Sequence, residues 1–125
     1  MDIEFNKNED KMKQLISQME HKLEKIYLGG GKAKLDKQHE QGKLSARERI
    51  DYLLDKDSTR IEIGAFAGNE MYLEHGGCPA GGVVVVMGYV KGRLCIVVAN
   101  DATVKAGSWF PITGKKNLRD RKSVV

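Results

Sequence analysis

Asn100-Asp101-Ala102-Thr103-Val104-Lys105-Ala106-Gly107-Ser108 places small residues and one lysine directly after a β-branched run. Small side chains leave backbone N–H groups open to an oxygen ligand. Lys105 can meet a phosphate as a point charge. Trp109 and Phe110 add apolar area beside it. Together these residues suit an elongated ligand with an acyl or ring end and a phosphate end. An ordinary strand-to-helix connection accounts for the same residues, because many such loops only connect.

Other chemistry finds less support. Gly31-Lys32 invites a phosphate-loop reading, but that loop needs Ser or Thr after the lysine and a glycine five places before Gly31. Ala33 and Ile26 stand there. A helix stop is the simpler reading of Gly29-Gly30-Gly31. His21, His39 and His75 share no metal-ligand spacing, and His21 and His39 fall on polar helix faces as solvated side chains. Cys95 alternates into an apolar strand as a small core residue. Cys78 lies in a glycine loop, is expected to be the more exposed, and without a paired histidine is a weak nucleophile. No C-x-x-C or Cys/His cluster is present, so neither zinc nor a disulfide scaffold is expected. With 21 basic and 17 acidic residues the net charge is +4, too little to name nucleic acid as a partner. The longest apolar run, Val83–Met87, is far short of the roughly 18 residues of a membrane span. The polar N-terminus is no secretory signal. A cytoplasmic, reduced protein is expected.

The elements that must hold the loop follow from periodicity. Met12, Leu15, Ile16, Met19, Leu23 and Ile26 make one apolar face of a helix over 9–27. A very polar helix over 31–41 ends at Gly42; it needs a partner or stays solvated. Ser45-Ala46-Arg47-Glu48 is a capping box opening a helix over 46–54, with Ile50, Leu53 and Leu54 buried. Arg60–Ile63 alternates like a half-buried strand. Ten of the 14 glycines come after residue 60, so the second half reads as strands and turns. Val83–Val90 and Arg93–Ala99 flank Lys91-Gly92, which fits a type I′ hairpin turn. Both runs are apolar on both faces and are expected to be covered on each side. Pro111 opens a last helix running toward Leu118.

Gly29–Lys34 (GGGKAK), Gln41–Ile50 (QGKLSARERI) with Leu53-Leu54-Asp55, and Asn100–Ser108 together resemble the carboxyltransferase (β) subunit of biotin-dependent acyl-CoA carboxylases. The resemblance covers residues 20–119. The Asn-Asp-Ala-Thr-Val-Lys form is more like the methylcrotonyl-CoA type than the propionyl-CoA type. The zinc-ribbon cysteines of the bacterial acetyl-CoA carboxylase β subunit are absent from this sequence.

The resemblance implies an α/β chain forming part of a crotonase-like (ClpP/crotonase) fold, with N-terminal helices followed by a buried β-hairpin. It divides the chain into a helical segment, 1–58, and the start of the N-terminal crotonase-like domain, 59–119. Residues 120–125 depart from the family pattern, match one frame of a common sequencing adapter, and are expected to be a non-native tail. In the family, a carboxyl group passes between carboxybiotin and an acyl-CoA held by this domain. Ala102, Thr103, Val104, Lys105, Ala106, Gly107 and Ser108 are then the positions near acyl-CoA. No catalytic residue and no metal ligand carries over, since the family's oxyanion-binding turns would come later. The chain is expected to be an N-terminal fragment, inactive alone, binding no cofactor itself. Biotin would come from a biotin carboxylase/biotin carrier subunit, and the full-length parent would be a homo-oligomer of carboxyltransferase subunits. The residues by themselves leave two alternatives: a small CoA- or phosphate-binding module, or an interaction module docking through its first helix.

Overall fold

Asp2 opens the first helix by accepting the Glu4 N–H at 3.2 Å. That cap lets α1 run over Ile3–Tyr27, six residues earlier than the apolar stripe alone suggests. The computed structural model describes residues 2–122, so the tail expected at 120–125 lies partly outside the described residues. Only Ile26 of the α1 stripe is buried. Met12, Leu15, Ile16 and Met19 remain about half exposed. Gly29 then takes a left-handed conformation (φ 57°), and α2 follows over Lys32–Glu40.

Ser45 begins α3 (Ala46–Leu53) as the capping box requires. Its hydroxyl accepts the Glu48 N–H at 3.3 Å and donates to the Glu48 carboxylate at 3.1 Å. The same carboxylate meets His39 Nε2 of α2 at 2.6 Å, so the cap also joins two helices. The His39 hydrogen bond is the main reason the Glu48 carboxyl lies below its ordinary range. His39 is therefore a bonded side chain rather than the simply solvated one expected. Ser45→Ala should cost about 0.5–2 kcal/mol, the usual scale for a lost N-cap, read as a lower urea midpoint. A variant as stable as the parent would mean the cap contributes nothing.

Ala46, Ile50 and Leu54, four residues apart, form the buried line of α3. Leu53 sits one position off that line and is turned outward, 49% exposed rather than buried as expected. The line packs on Val84 and Val86. These belong to β2 (Val83–Val90), the middle strand of a three-stranded antiparallel sheet ordered β1-β2-β3. β1 is Ile61–Ile63, pairing Ile63 with Val85. β3 is Arg93–Asn100, paired with β2 from Val90↔Arg93 to Val83↔Asn100. Lys91 (φ 49°) and Gly92 (φ 77°) are both left-handed, as a type I′ turn demands. Asp55 clasps that turn from the far end of α3, its two oxygens accepting the Lys91 and Gly92 N–H groups at 2.7 Å each.

The covering expected for both hairpin strands holds for β2 alone. Val83 and Val85, on its other face, are fully buried. β3 is the sheet edge. Leu94 and Val98 are 59% and 46% exposed, because no described element lies over them. A second core gathers Cys78, Val104 and Phe110, with Tyr72 stacked on Phe110 at 4.3 Å between ring centroids. Cys78 is thus buried, not exposed as expected: the chain turns sharply after it, with Ala80 and Gly81 left-handed, and Cys78 packs against Val104 and Phe110. Cys95 is only partly covered. Pro111 opens α4 (Pro111–Lys122).

Candidate functional site

The loop after β3 is fastened rather than free. Asp101 turns its carboxylate back into the loop and accepts the Thr103 N–H at 2.9 Å, together with the Thr103 hydroxyl. This is an Asx-type turn. The Thr103 hydroxyl in turn accepts the Gly30 N–H at 2.9 Å, 73 residues away in sequence. The triple glycine is therefore more than a helix stop. A side chain at Gly30 would meet the Thr103 carbonyl, and one at Gly29 would meet the Asp101 carboxylate. Backbone lies directly on backbone there, which only glycine allows.

Beyond Thr103 the chain makes a second turn. Lys105 (φ 48°), Ala106 (φ 52°) and Gly107 (φ 82°) are all left-handed. Two non-glycine residues in that region are costly and persist only where their surroundings fix them. Here the Gly107 N–H bonds the Val104 carbonyl at 3.0 Å, and the Ser108 N–H bonds the Lys105 carbonyl at 2.9 Å.

The expected ligand-side residues divide between two environments. Ala102, Thr103 and Ala106 form one wall of a groove of about 460 Å3. Val104 points into the second core instead. The Lys105 ammonium sits over the Phe110 ring, 4.2 Å from its centroid, and is not part of the groove. Gly107 is half-buried and Ser108 exposed. The opposite wall was not expected from sequence. It comes from α2 and the turn after it: Lys34, Lys37, Gln38, Gln41 and Lys43. None of the lining residues is acidic. The signal that marked this wall was the polarity of α2, a helix with no apolar stripe and with lysines three residues apart.

Elsewhere the titratable groups are structural. Lys116 is buried and donates to the carbonyls of Ala80 at 2.6 Å and Val83 at 2.7 Å. Burial is the main cause that lowers its pKa to about 8. Asp120 is buried on the same helix, and burial pushes its carboxyl upward. Arg47 bonds Glu62 at 2.7 Å and lies over the Tyr27 ring. Burial also raises the Cys78 thiol, which makes it a poor nucleophile. Among the described residues no three metal-ligating side chains converge, and no helix is long and apolar enough to cross a membrane. The groove offers ammonium and amide groups. They can hold an anion and orient it, but they make no nucleophile–base pair.

Residues 37–124 match the family model described as the carboxyl transferase domain. The chain belongs to that family. This carboxyl transferase chain is 45% identical over 116 residues to the probable mitochondrial methylcrotonoyl-CoA carboxylase beta chain of Drosophila melanogaster, covering 93% of itself and 20% of that protein. It is 38% identical over 115 residues to the propionyl-CoA carboxylase beta chain of Roseobacter denitrificans, covering 84% of itself and 21% of that protein. The higher identity to the first agrees with the methylcrotonyl-like form of the 100–105 segment. The fold matches the transcarboxylase 12S crystal structure, a hexamer with methylmalonyl-coenzyme A and methylmalonic acid bound. That match has a TM-score of 0.80 at 33% identity, over 90% of this chain and 22% of that one. The partial crotonase-like α/β architecture expected from the sequence is therefore the one present. The chain spans about a fifth of the length of the relatives it matches. The expected cytoplasmic location is not carried by these matches, since the fly relative is mitochondrial.

Proposed function

We propose that this chain forms the opening part of the acyl-CoA-holding domain of a carboxyltransferase subunit, with Ala102–Ser108 lying along the bound acyl-CoA. The subunit would move a carboxyl group between carboxybiotin and an acyl-CoA of the methylcrotonyl or propionyl kind. The observation that carries this reading is the loop after β3, anchored by Asp101 and Thr103 to Gly30 and facing a wall of lysines. Fixed backbone dipoles and cations next to a thioester ligand position it without costing reorganisation. The residues of this chain grip and orient. They carry no step of the carboxyl transfer. Biotin would be brought by a biotin carboxylase/biotin carrier subunit, and carboxyltransferase subunits would assemble with one another, as in the hexameric transcarboxylase. Both cysteines are unpaired, which suits a reducing compartment, cytoplasmic or mitochondrial.

A chimera tests the proposal. Residues 37–119 replace the matching segment of the Drosophila beta chain, which is then combined with its biotin-bearing partner. Biotin-dependent carboxylation of 3-methylcrotonyl-CoA should persist. A folded, assembled chimera with no turnover would overturn the assignment.

A further inference from the structure

We propose that the open edge of β3 is a docking surface for a second copy of this chain, the two β3 strands pairing antiparallel about Val97 to make one continuous sheet.

The hydrogen-bond pattern defines the edge. The two-residue turn makes Val90 and Arg93 a bonded pair, and at the other end of the ladder the Asp101 N–H reaches the Gly82 carbonyl at 3.0 Å. Arg93, Cys95, Val97 and Ala99 therefore direct their backbone groups to β2. Leu94, Ile96, Val98 and Asn100 point theirs outward, where no described strand meets them. Protected edges carry lysine, proline or a bulge. This one has no charge and no proline from Leu94 to Asn100, and its register on β2 is unbroken. Leu94 and Val98 stand exposed on it. Such an edge is a template for another strand.

Register makes a second copy the fitting occupant. Antiparallel pairing about Val97 sets Ile96 opposite Val98 and Leu94 opposite Asn100. Every outward N–H and C=O from Leu94 to Asn100 then finds its match in the same strand of the other copy. Arg93, which has no carboxylate partner among the described residues, comes opposite Asp101, and two-fold symmetry repeats that attraction at the other end. The neighbouring register, centred on Ile96, is poorer. It sets Asn100 against Gly92, whose N–H is already held by Asp55 at 2.7 Å, and it loses the direct Arg93–Asp101 match.

Both faces of the joined sheet gain cover. Trp109 donates to the Asn100 side chain at 3.3 Å and is 52% exposed. It stands where Leu94 of the second copy arrives. On the α3 side a groove of about 480 Å3 follows the edge, walled by the exposed Leu44, Tyr52 and Leu53 beside Val97 and Val98. The two-fold axis passes through the sheet at Val97, so the grooves of the two copies meet and each α3 faces its counterpart across them. Pairing about an axis occupies the β3 edge of both copies, so the assembly closes at two. The other edge, β1, is three residues long and carries Glu62, short and charged as protected edges are.

Sedimentation of the 125-residue chain tests the proposal. The 13.9 kDa chain should form a concentration-dependent dimer and nothing larger. Val98→Pro should weaken that dimer at least about tenfold, because symmetry deletes the outward N–H twice. Its circular dichroism should stay that of the parent, since no bond to β2 is touched. Val98→Lys keeps the N–H and sets a lysine on the edge; it should weaken the dimer too, and it decides the matter if the proline variant does not fold. Ala99→Cys reads the register. Position 99 faces Cys95 of the second copy in a non-hydrogen-bonded pair, whose side chains approach closely. Mild oxidation should therefore give a covalent dimer, absent in the parent and lost again in Ala99→Cys/Cys95→Ser. A chain that stays monomeric overturns the proposal and leaves the edge to a further strand of a longer subunit. Open-ended aggregates without a dimer overturn it, as does a folded Val98→Lys variant that dimerises like the parent. An Ala99→Cys variant that fails to cross-link through Cys95 overturns it equally.

Discussion

Gly30→Ala should lower the melting temperature by about 10 °C, whereas Gly114→Ala should raise it by a few degrees. The two glycines differ in what surrounds them and in backbone, Gly30 lying in the turn between α1 and α2 and Gly114 inside α4. The added methyl at Gly30 would land on the Thr103 carbonyl, a backbone atom that cannot swing aside. The α1–α2 junction must then lift off the loop, losing the 2.9 Å bond from the Gly30 N–H to the Thr103 hydroxyl. Overpacking costs about 1–3 kcal/mol, and the lost bond adds about 1 kcal/mol. For a chain of this size about 3 kcal/mol corresponds to roughly 10 °C. Gly114 lies within α4 with nothing within 4 Å of the added methyl. There alanine restricts the unfolded chain and favours the helix by about 0.5–1 kcal/mol. Thermal melts by circular dichroism read both. A Gly30→Ala melt within a degree or two of the parent would mean that the loop is not seated on the triple glycine.

The contrast shows which features could be read from the chain. The hairpin was legible because its turn is local: two positive-φ residues, Lys91 and Gly92, fix the register of sixteen paired positions without help from elsewhere. The Ser45 cap was legible for the same reason, all its atoms lying within four residues. The bond from the Thr103 N–H to Asp101 is equally local, spanning two residues. What escaped were contacts across long separations. The clasp of Asp55 on the hairpin turn spans 36 residues, and Gly30 meets Thr103 across 73. A periodic pattern names a face and says nothing of which face it meets. The stripe on α1 and the apolar outer side of β3 make the point. Both were recognisable as surfaces suited to burial, and both stand largely exposed among the described residues. The lysine wall escaped because polar helices usually read as solvated. Its meaning appears only when the loop is laid opposite.

Lys116 was the least legible of all, an unremarked lysine in a polar helix that turns out to be buried. It supports the largest pH effect expected here. Its ammonium bridges the carbonyls of Ala80 and Val83 and so ties α4 to the start of β2. Burial lowers its pKa to about 8, although Glu62 on β1 and Asp120 on α4 oppose that shift and Arg47 on α3 assists it. The unfolded chain holds the same proton until about pH 10.4. Between those values the unfolded state binds more protons than the folded state, so stability rises with pH. Below pH 8 both states are protonated and the full cost of burying the charge remains. Between pH 7 and 10 the gain should be about 2–3 kcal/mol, at 1.36 kcal/mol per pKa unit. Cys78 acts in the opposite direction at the alkaline end, since burial keeps its thiol protonated in the folded state. The measurement is therefore a difference: urea unfolding of the parent and of Lys116→Met, each followed from pH 7 to 10. Methionine keeps the length of the side chain but cannot titrate. The parent should gain stability relative to the variant across that window. Parallel pH profiles for the two proteins would show that Lys116 keeps an ordinary pKa and that its ammonium reaches water.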